Sequence, residues 1–135
     1  MIDIGLFKKN KIIYDADQEQ KVEWPDHILV LDSNNFIKFI EKYPLSIVDF
    51  WAPWCSPCKA MAPRLRRILK IYKKKIAIGK LDIQKNKKIA KQYKIMGIPH
   101  FIFFRNGKIV SNITGIKTVG EIKTVIEDIL KKMDK

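Results

Sequence analysis

Two cysteines separated by two residues, in Trp54-Cys55-Ser56-Pro57-Cys58-Lys59, are the side chains of this chain whose type and spacing could do chemistry. Ile47 to Trp51 is a short β-branched and aromatic run that reads as a buried strand, and the residues after Cys58 read as a helix. A strand therefore delivers a helix N-terminus that carries Cys55. The first backbone N–H groups of a helix have no intrahelical partner, and the macrodipole adds partial positive charge there, so a thiolate is favoured over a thiol. Cys58, one turn on, falls on the same side within bonding reach, and Pro57 so early in a helix costs no hydrogen bond. A reversible disulfide follows. A thiolate at Cys55 could attack a substrate disulfide, and Cys58 could then resolve the mixed disulfide by attacking Cys55.

Other groups near the pair have chemical and bland readings. A C-x-x-C motif is also half of a zinc site, but zinc takes about four ligands and the chain offers only His27 and His100 besides. Asp49 lies on the cysteine strand between Val48 and Phe50, where burial should raise its pKa and suit it to accept the Cys58 proton. Lys80 on a neighbouring strand is its candidate partner, without which it would be an isolated buried charge. Trp54, beside Cys55 at what should be an exposed rim, is expected to line the substrate surface, and Trp51 to be a core aromatic. His100 either brings a cation towards Cys55 or points away along its strand. Met61, Met96 and Phe101 to Phe104 read as packing.

The elements that must position these residues follow in order. His27 to Leu31 reads as a strand. Asp32-Ser33-Asn34 offers caps for a helix over Asn35 to Lys42, with Phe36, Phe39 and Ile40 on its apolar stripe. After the cysteines, Leu65, Ile68, Leu69 and Tyr72 continue a helical period that Pro63 should kink. A strand over Lys75 to Ile83 precedes a short basic helix from about Asn86 to Tyr93. Phe101 to Phe104 and Lys108 to Ile113 flank Asn106-Gly107, a strong hairpin signal. Thr118 to Met133 closes the chain as an amphipathic helix with Ile122, Val125, Ile126, Ile129 and Leu130 inward. The order βαβαβαββα makes an α/β protein with a central mixed sheet covered by helices on both faces. Residues 1–26, weakly alternating and then polar, form an N-terminal extension, either a hairpin or a flexible arm, ahead of a single domain over 27–135.

These landmarks together resemble the thioredoxin family over roughly Ile28 to the C-terminus. Trp54-Cys55-Ser56-Pro57-Cys58-Lys59 is similar to that family's W-C-G-P-C-K. Asp49-Phe50-Trp51-Ala52, Ala62-Pro63 and Gly97-Ile98-Pro99 stand where the family places them. The resemblance implies a thioredoxin fold, a cis Ile98–Pro99 peptide facing the cysteines, and Asp49 as the family's buried aspartate. It also implies a substrate surface of Trp54, Ser56, Pro57, Gly97, Ile98 and Pro99, flanked by Met96. Ser56 in place of the usual glycine bears on the reduction potential, His100 follows the proline where threonine is common, and Gln84 replaces a typical aspartate.

The function expected is protein-disulfide reduction through Cys55 and Cys58, with Asp49 and Lys80 assisting, no cofactor, and protein disulfides and a thioredoxin reductase or equivalent donor as partners. A disulfide oxidant or isomerase is the alternative, and a metal- or partner-binding module a third reading. The formal charge of +13, from 27 Lys and Arg against 14 Asp and Glu, raises nucleic acid or an acidic membrane surface. The lysine clusters at 73–75, 85–94 and 131–135 read instead as solvated helix faces, in a chain with no nucleic-acid-binding motif, although the field could steer acidic protein partners. No apolar window approaches the roughly 18 residues of a membrane span, and the N-terminus has no signal-peptide core. A monomer in the cytoplasm, where a dithiol rather than a structural bridge is expected, is the default.

Overall fold

The computed structural model describes residues 22–134. Its first strand, β1, covers Leu29–Leu31 and leads into helix α1, Phe36–Lys42. Strand β2, Ser46–Trp51, then feeds the long helix α2, Ser56–Ile71, which carries the cysteines. Strand β3, Ala77–Asp82, and the short helix α3, Lys87–Gln92, follow. The hairpin strands β4, His100–Arg105, and β5, Lys108–Thr114, precede helix α4, Val119–Met133. The strands form one sheet in the order β1-β3-β2-β4-β5. β3 runs parallel to both β1 and β2, whereas β4 is antiparallel to β2 and β5. This is the mixed sheet and the element order expected from the sequence.

β2 occupies the middle because Ser-Ile-Val-Asp-Phe-Trp has no solvated face. Every residue but Trp51 is buried. Side chains alternate across a strand, so Ile47 enters one core with Met61, Leu65 and Ile68 of α2 and Ile122 and Ile126 of α4. Val48 and Phe50 enter the other, with Phe36, Phe39 and Ile40 of α1. At the Asn106-Gly107 turn both residues have positive φ, 49° and 85°, as a two-residue hairpin loop matching the strand twist requires.

Several boundaries differ from expectation for identifiable reasons. β1 is only three residues long, an edge strand paired with Gly79 to Leu81; His27 lies before it, beside Asp26. The N-cap of α1 is Asn35, and Asp32 serves the turn instead: its carboxylate accepts from the amides of Asn34 (2.8 Å) and Asn35 (3.2 Å). Pro63 sits inside α2, whose helical assignment runs unbroken past it to Ile71. Thr118 caps α4 with a reciprocal Thr118–Glu121 capping box. Most of the expected extension lies outside the described residues; within it, Trp24 packs on Tyr43 with ring centroids 5.4 Å apart. No helix among the described residues is long and apolar enough to cross a membrane.

Gly79 marks a close approach between β3 and β1: a Cβ there would meet Cδ1 of the buried Leu31 at 2.6 Å. Gly79→Ala is expected to destabilise the domain by about 1–3 kcal/mol, the usual cost of overpacking a filled core. Urea unfolding followed by circular dichroism reads this, and an unchanged midpoint would mean that Leu31 swings aside at no cost.

Candidate active site

The cysteine pair is built by the junction of β2 and α2. After Trp51 the chain turns, the Cys55 amide donating to the Ala52 carbonyl at 3.1 Å, and Cys55 becomes the N-cap of α2 with extended backbone angles. Its Sγ takes the place that a serine or aspartate oxygen takes at other helix starts: the Cys58 amide donates to it at 3.2 Å. Pro57 lies in the first turn, where its missing N–H leaves no bond unmade. Cys55 and Cys58 form a disulfide, their Cα atoms 5.3 Å apart.

The sulfur is less open than the sequence suggests. Cys55 is 4% exposed and Cys58 3%, packed with Ala52 against Trp51, Ile83 and Ile98. The expected exposed rim is therefore formed by Trp54 and not by Cys55, because the N-cap geometry folds Sγ back over the first helical turn. Trp54 is 65% exposed, and Ser56 and Pro57 are exposed beside it. Trp51 is only half-buried, its ring covered by the Lys80 ammonium at 5.0 Å from the centroid. It is not the fully enclosed core aromatic expected.

Across from the pair, the Ile98–Pro99 peptide is cis, as the resemblance implies. Pro99 is buried, its carbonyl accepting from the Gly115 amide at 2.7 Å, while Gly97 and Ile98 remain partly exposed. Met96 is 95% exposed, so the packing reading of this residue fails. Met61 is fully buried, and its Sδ accepts from the Lys117 amide at 3.4 Å. Sequence reasoning missed two contributors, Ile83 beside the disulfide and the Gly115-Ile116-Lys117 loop that closes on Pro99 and Met61. The signal for the second was available in Gly115, a glycine at a strand end, here with φ +93°.

Asp49 lies on β2, on the face covered by α2. It is 5% exposed, stands opposite Lys80 in the β2–β3 register, and its Oδ1 has no hydrogen-bond partner. Burial pushes its carboxyl up to about 7, against the opposing pull of the Lys80 charge. A cavity of about 330 Å³ reaches both side chains and is walled by Ala62, Leu65 and Leu69 of α2. It gives the carboxyl room to exchange protons without a direct ion pair.

His100 takes the bland alternative. It pairs with Phe50, whose side chain enters the core opposite to that of Ile47, and its Nδ1 lies 2.6 Å from Thr114 Oγ1. Burial lowers its pKa, which favours the neutral imidazole and removes it as a cation for Cys55. No group of three or more His, Cys, Asp or Glu among the described residues is arranged to hold a metal ion.

A sequence model of the thioredoxin family matches residues 27–128. The chain is 35% identical over 119 residues to a thioredoxin of Buchnera aphidicola from Acyrthosiphon pisum, covering 88% of this chain and 96% of that one. It is also 31% identical over 107 residues to a bifunctional thioredoxin reductase/thioredoxin of Mycobacterium leprae, covering 79% of this chain and 23% of that protein. A solved thioredoxin variant from Halobacterium salinarum has the same fold, with a TM-score of 0.73 at 24% identity over 78% of this chain and 93% of that one.

The raised carboxyl of Asp49 ties stability to pH. The folded state keeps this proton up to about 7, whereas the unfolded chain releases it near the ordinary carboxylate value of 3.8. The associated stability is therefore complete below about 4 and lost as pH rises through 7. Asp49→Asn should match the parent in acid and exceed it by roughly 4 kcal/mol at pH 8. Guanidinium unfolding of both oxidised proteins across this range tests the sign, and a stability difference independent of pH would refute it.

Proposed function

The chain belongs to the thioredoxin family, and from that premise we propose that it reduces protein disulfides, with Cys55 as the attacking and Cys58 as the resolving thiol. It is a thiol-disulfide oxidoreductase, and the observation that carries the direction of attack is Cys55 Sγ at the N-cap of α2, accepting from the Cys58 amide at 3.2 Å. That amide and the helix dipole favour negative charge on Cys55 in the reduced protein. Cys58 lies one turn inside.

In the forward reaction the Cys55 thiolate attacks one sulfur of a substrate disulfide, forming a mixed disulfide and expelling the other substrate sulfur as a thiolate. Asp49 accepts the Cys58 proton, directly or through water in the adjoining cavity. The Cys58 thiolate then attacks Cys55 Sγ and expels the second substrate sulfur. Two electrons pass to the substrate, and the Cys55–Cys58 disulfide remains. Lys80 limits the cost of the Asp49 anion by proximity of charge. Trp54, Ser56, Pro57, Gly97, Ile98 and Pro99 form the face on which an extended substrate lies. A thioredoxin reductase or equivalent donor returns the electrons, a pairing present in one polypeptide in the Mycobacterium leprae relative. The domain of 27–135, preceded by the 1–26 extension, works as a monomer in the cytoplasm.

Reduction of insulin disulfides with dithiothreitol as donor tests the assignment. Cys55→Ser should abolish it. Cys58→Ser should accumulate a mixed disulfide visible by mass spectrometry, and stable adducts formed instead on Cys58 in Cys55→Ser would reverse the roles. Asp49→Asn should slow resolution at least tenfold, general-base effects typically reaching 10² or more, and remove a rate limb near pH 7. A reduction potential near roughly −270 mV fits a reductant, whereas roughly −180 to −120 mV would make the protein an isomerase or oxidant.

A further inference from the structure

Four lysines lie at the cysteine end of the sheet, each close in the chain to a residue that builds the site or held to one. Lys59 follows Cys58 in the first turn of α2, and Lys85 lies two residues after Ile83, which packs on the disulfide. Lys94, with φ +53°, precedes Met96 by two residues, and Lys117 is held by its amide bond to Met61 Sδ. Lys59, Lys85 and Lys94 are exposed and Lys117 partly so. The acids at this end are committed to backbone amides. Asp82 is buried and accepts from the Gln84 amide, Asp32 accepts from the Asn34 and Asn35 amides, and Glu121 accepts from the Thr118 amide in the α4 cap. The side-chain ion pairs among the described residues, His27–Asp26 and Lys132–Asp128, include none of the four lysines, and of the four it is Lys117 whose charge acts on a nearby carboxylate, that of Glu121.

The same end of the molecule exposes apolar side chains. Met96 is 95% exposed, Trp54 65% and Ile116 50%. Lysines outside any side-chain ion pair, set at the same end as exposed apolar side chains, complement a polypeptide that carries acidic residues around an apolar side chain next to its disulfide. Nucleic acid fits less well, since its phosphates would face an apolar centre with no charge partner.

We propose that this end of the molecule selects substrates whose disulfides lie in acidic, apolar-centred segments, with Lys59, Lys85, Lys94 and Lys117 steering the approach and Met96 contacting the substrate. The inference rests on the disulfide-reductase reading and adds the substrate class. Fixed charges of one sign around a cleft raise association rates from tenfold upwards and lose that advantage in salt.

The test uses two disulfide-cyclised peptides of equal length with the same apolar residue beside one cysteine, one flanked by glutamates and the other by lysines, together with the neutral disulfide 2,2′-dithiodipyridine. With the reduced full-length chain, the acidic peptide should react about tenfold faster than the basic one near 0.01 M salt, and the ratio should approach one near 1 M. Lys59→Glu/Lys94→Glu/Lys117→Glu should invert the ratio, and Met96→Ser should slow both peptides alike. Equal rates for the two peptides at low salt, with the neutral disulfide still reduced, would overturn the substrate class and leave the reductase standing. Failure to reduce the neutral disulfide would overturn the reductase reading itself.

Discussion

Burial of β2 on both faces is the constraint on which the rest depends. Ile47 needs α2 and α4 over it, Val48 and Phe50 need α1 on the other side, and β3 and β4 must take the backbone hydrogen bonds. Once those partners are in place, the strand ends at Trp51, and the next turn has to start α2 within a few residues. That forced junction presents Cys55 at a helix N-terminus, where backbone amides and dipole act on sulfur. The chemistry is thus a by-product of how a doubly buried strand is allowed to end.

The same strand carries a polar group into a place hostile to its charge. Asp49 shares the face of Ile47 under α2, with one carboxylate oxygen unpartnered. The Lys80 ammonium, opposite in register, lies against the Trp51 ring, so the carboxylate feels its field without a close ion pair. A tight pair would have held the carboxylate ionised at all working pH values and made it a poor proton acceptor. Stability is given up at a position that, in the proposed mechanism, takes up and releases a proton.

Legibility in the sequence followed the range of the interactions concerned. Patterns set by neighbours along the chain were readable: the apolar run of β2, the Asn106-Gly107 turn, the stripe of α4, and the order of elements. The motif residues resembled a family, and the fold followed. Properties set by segments distant in sequence were not readable. The burial of Cys55 depends on Ile83 and Ile98, the half-burial of Trp51 on Lys80, and the exposure of Met96 on none of the described segments packing over it. His100 was ambiguous by alternation alone, and only its pairing with Phe50 fixed the direction of its ring.

The strand order also sets how the molecule breathes. β1, with three residues and an exposed Val30, and β5, with exposed Ile109 and Val110, are the edges of the sheet, whereas β2 is shielded by a strand on each side. Amide hydrogens at the edges can exchange with solvent through local opening, but those of β2 are released only when the whole sheet comes apart. Because the dithiol is attached to the innermost strand, transient fraying at either margin leaves the reactive sulfurs in register. The part of the molecule that meets its partners most intimately is held by the part that opens least.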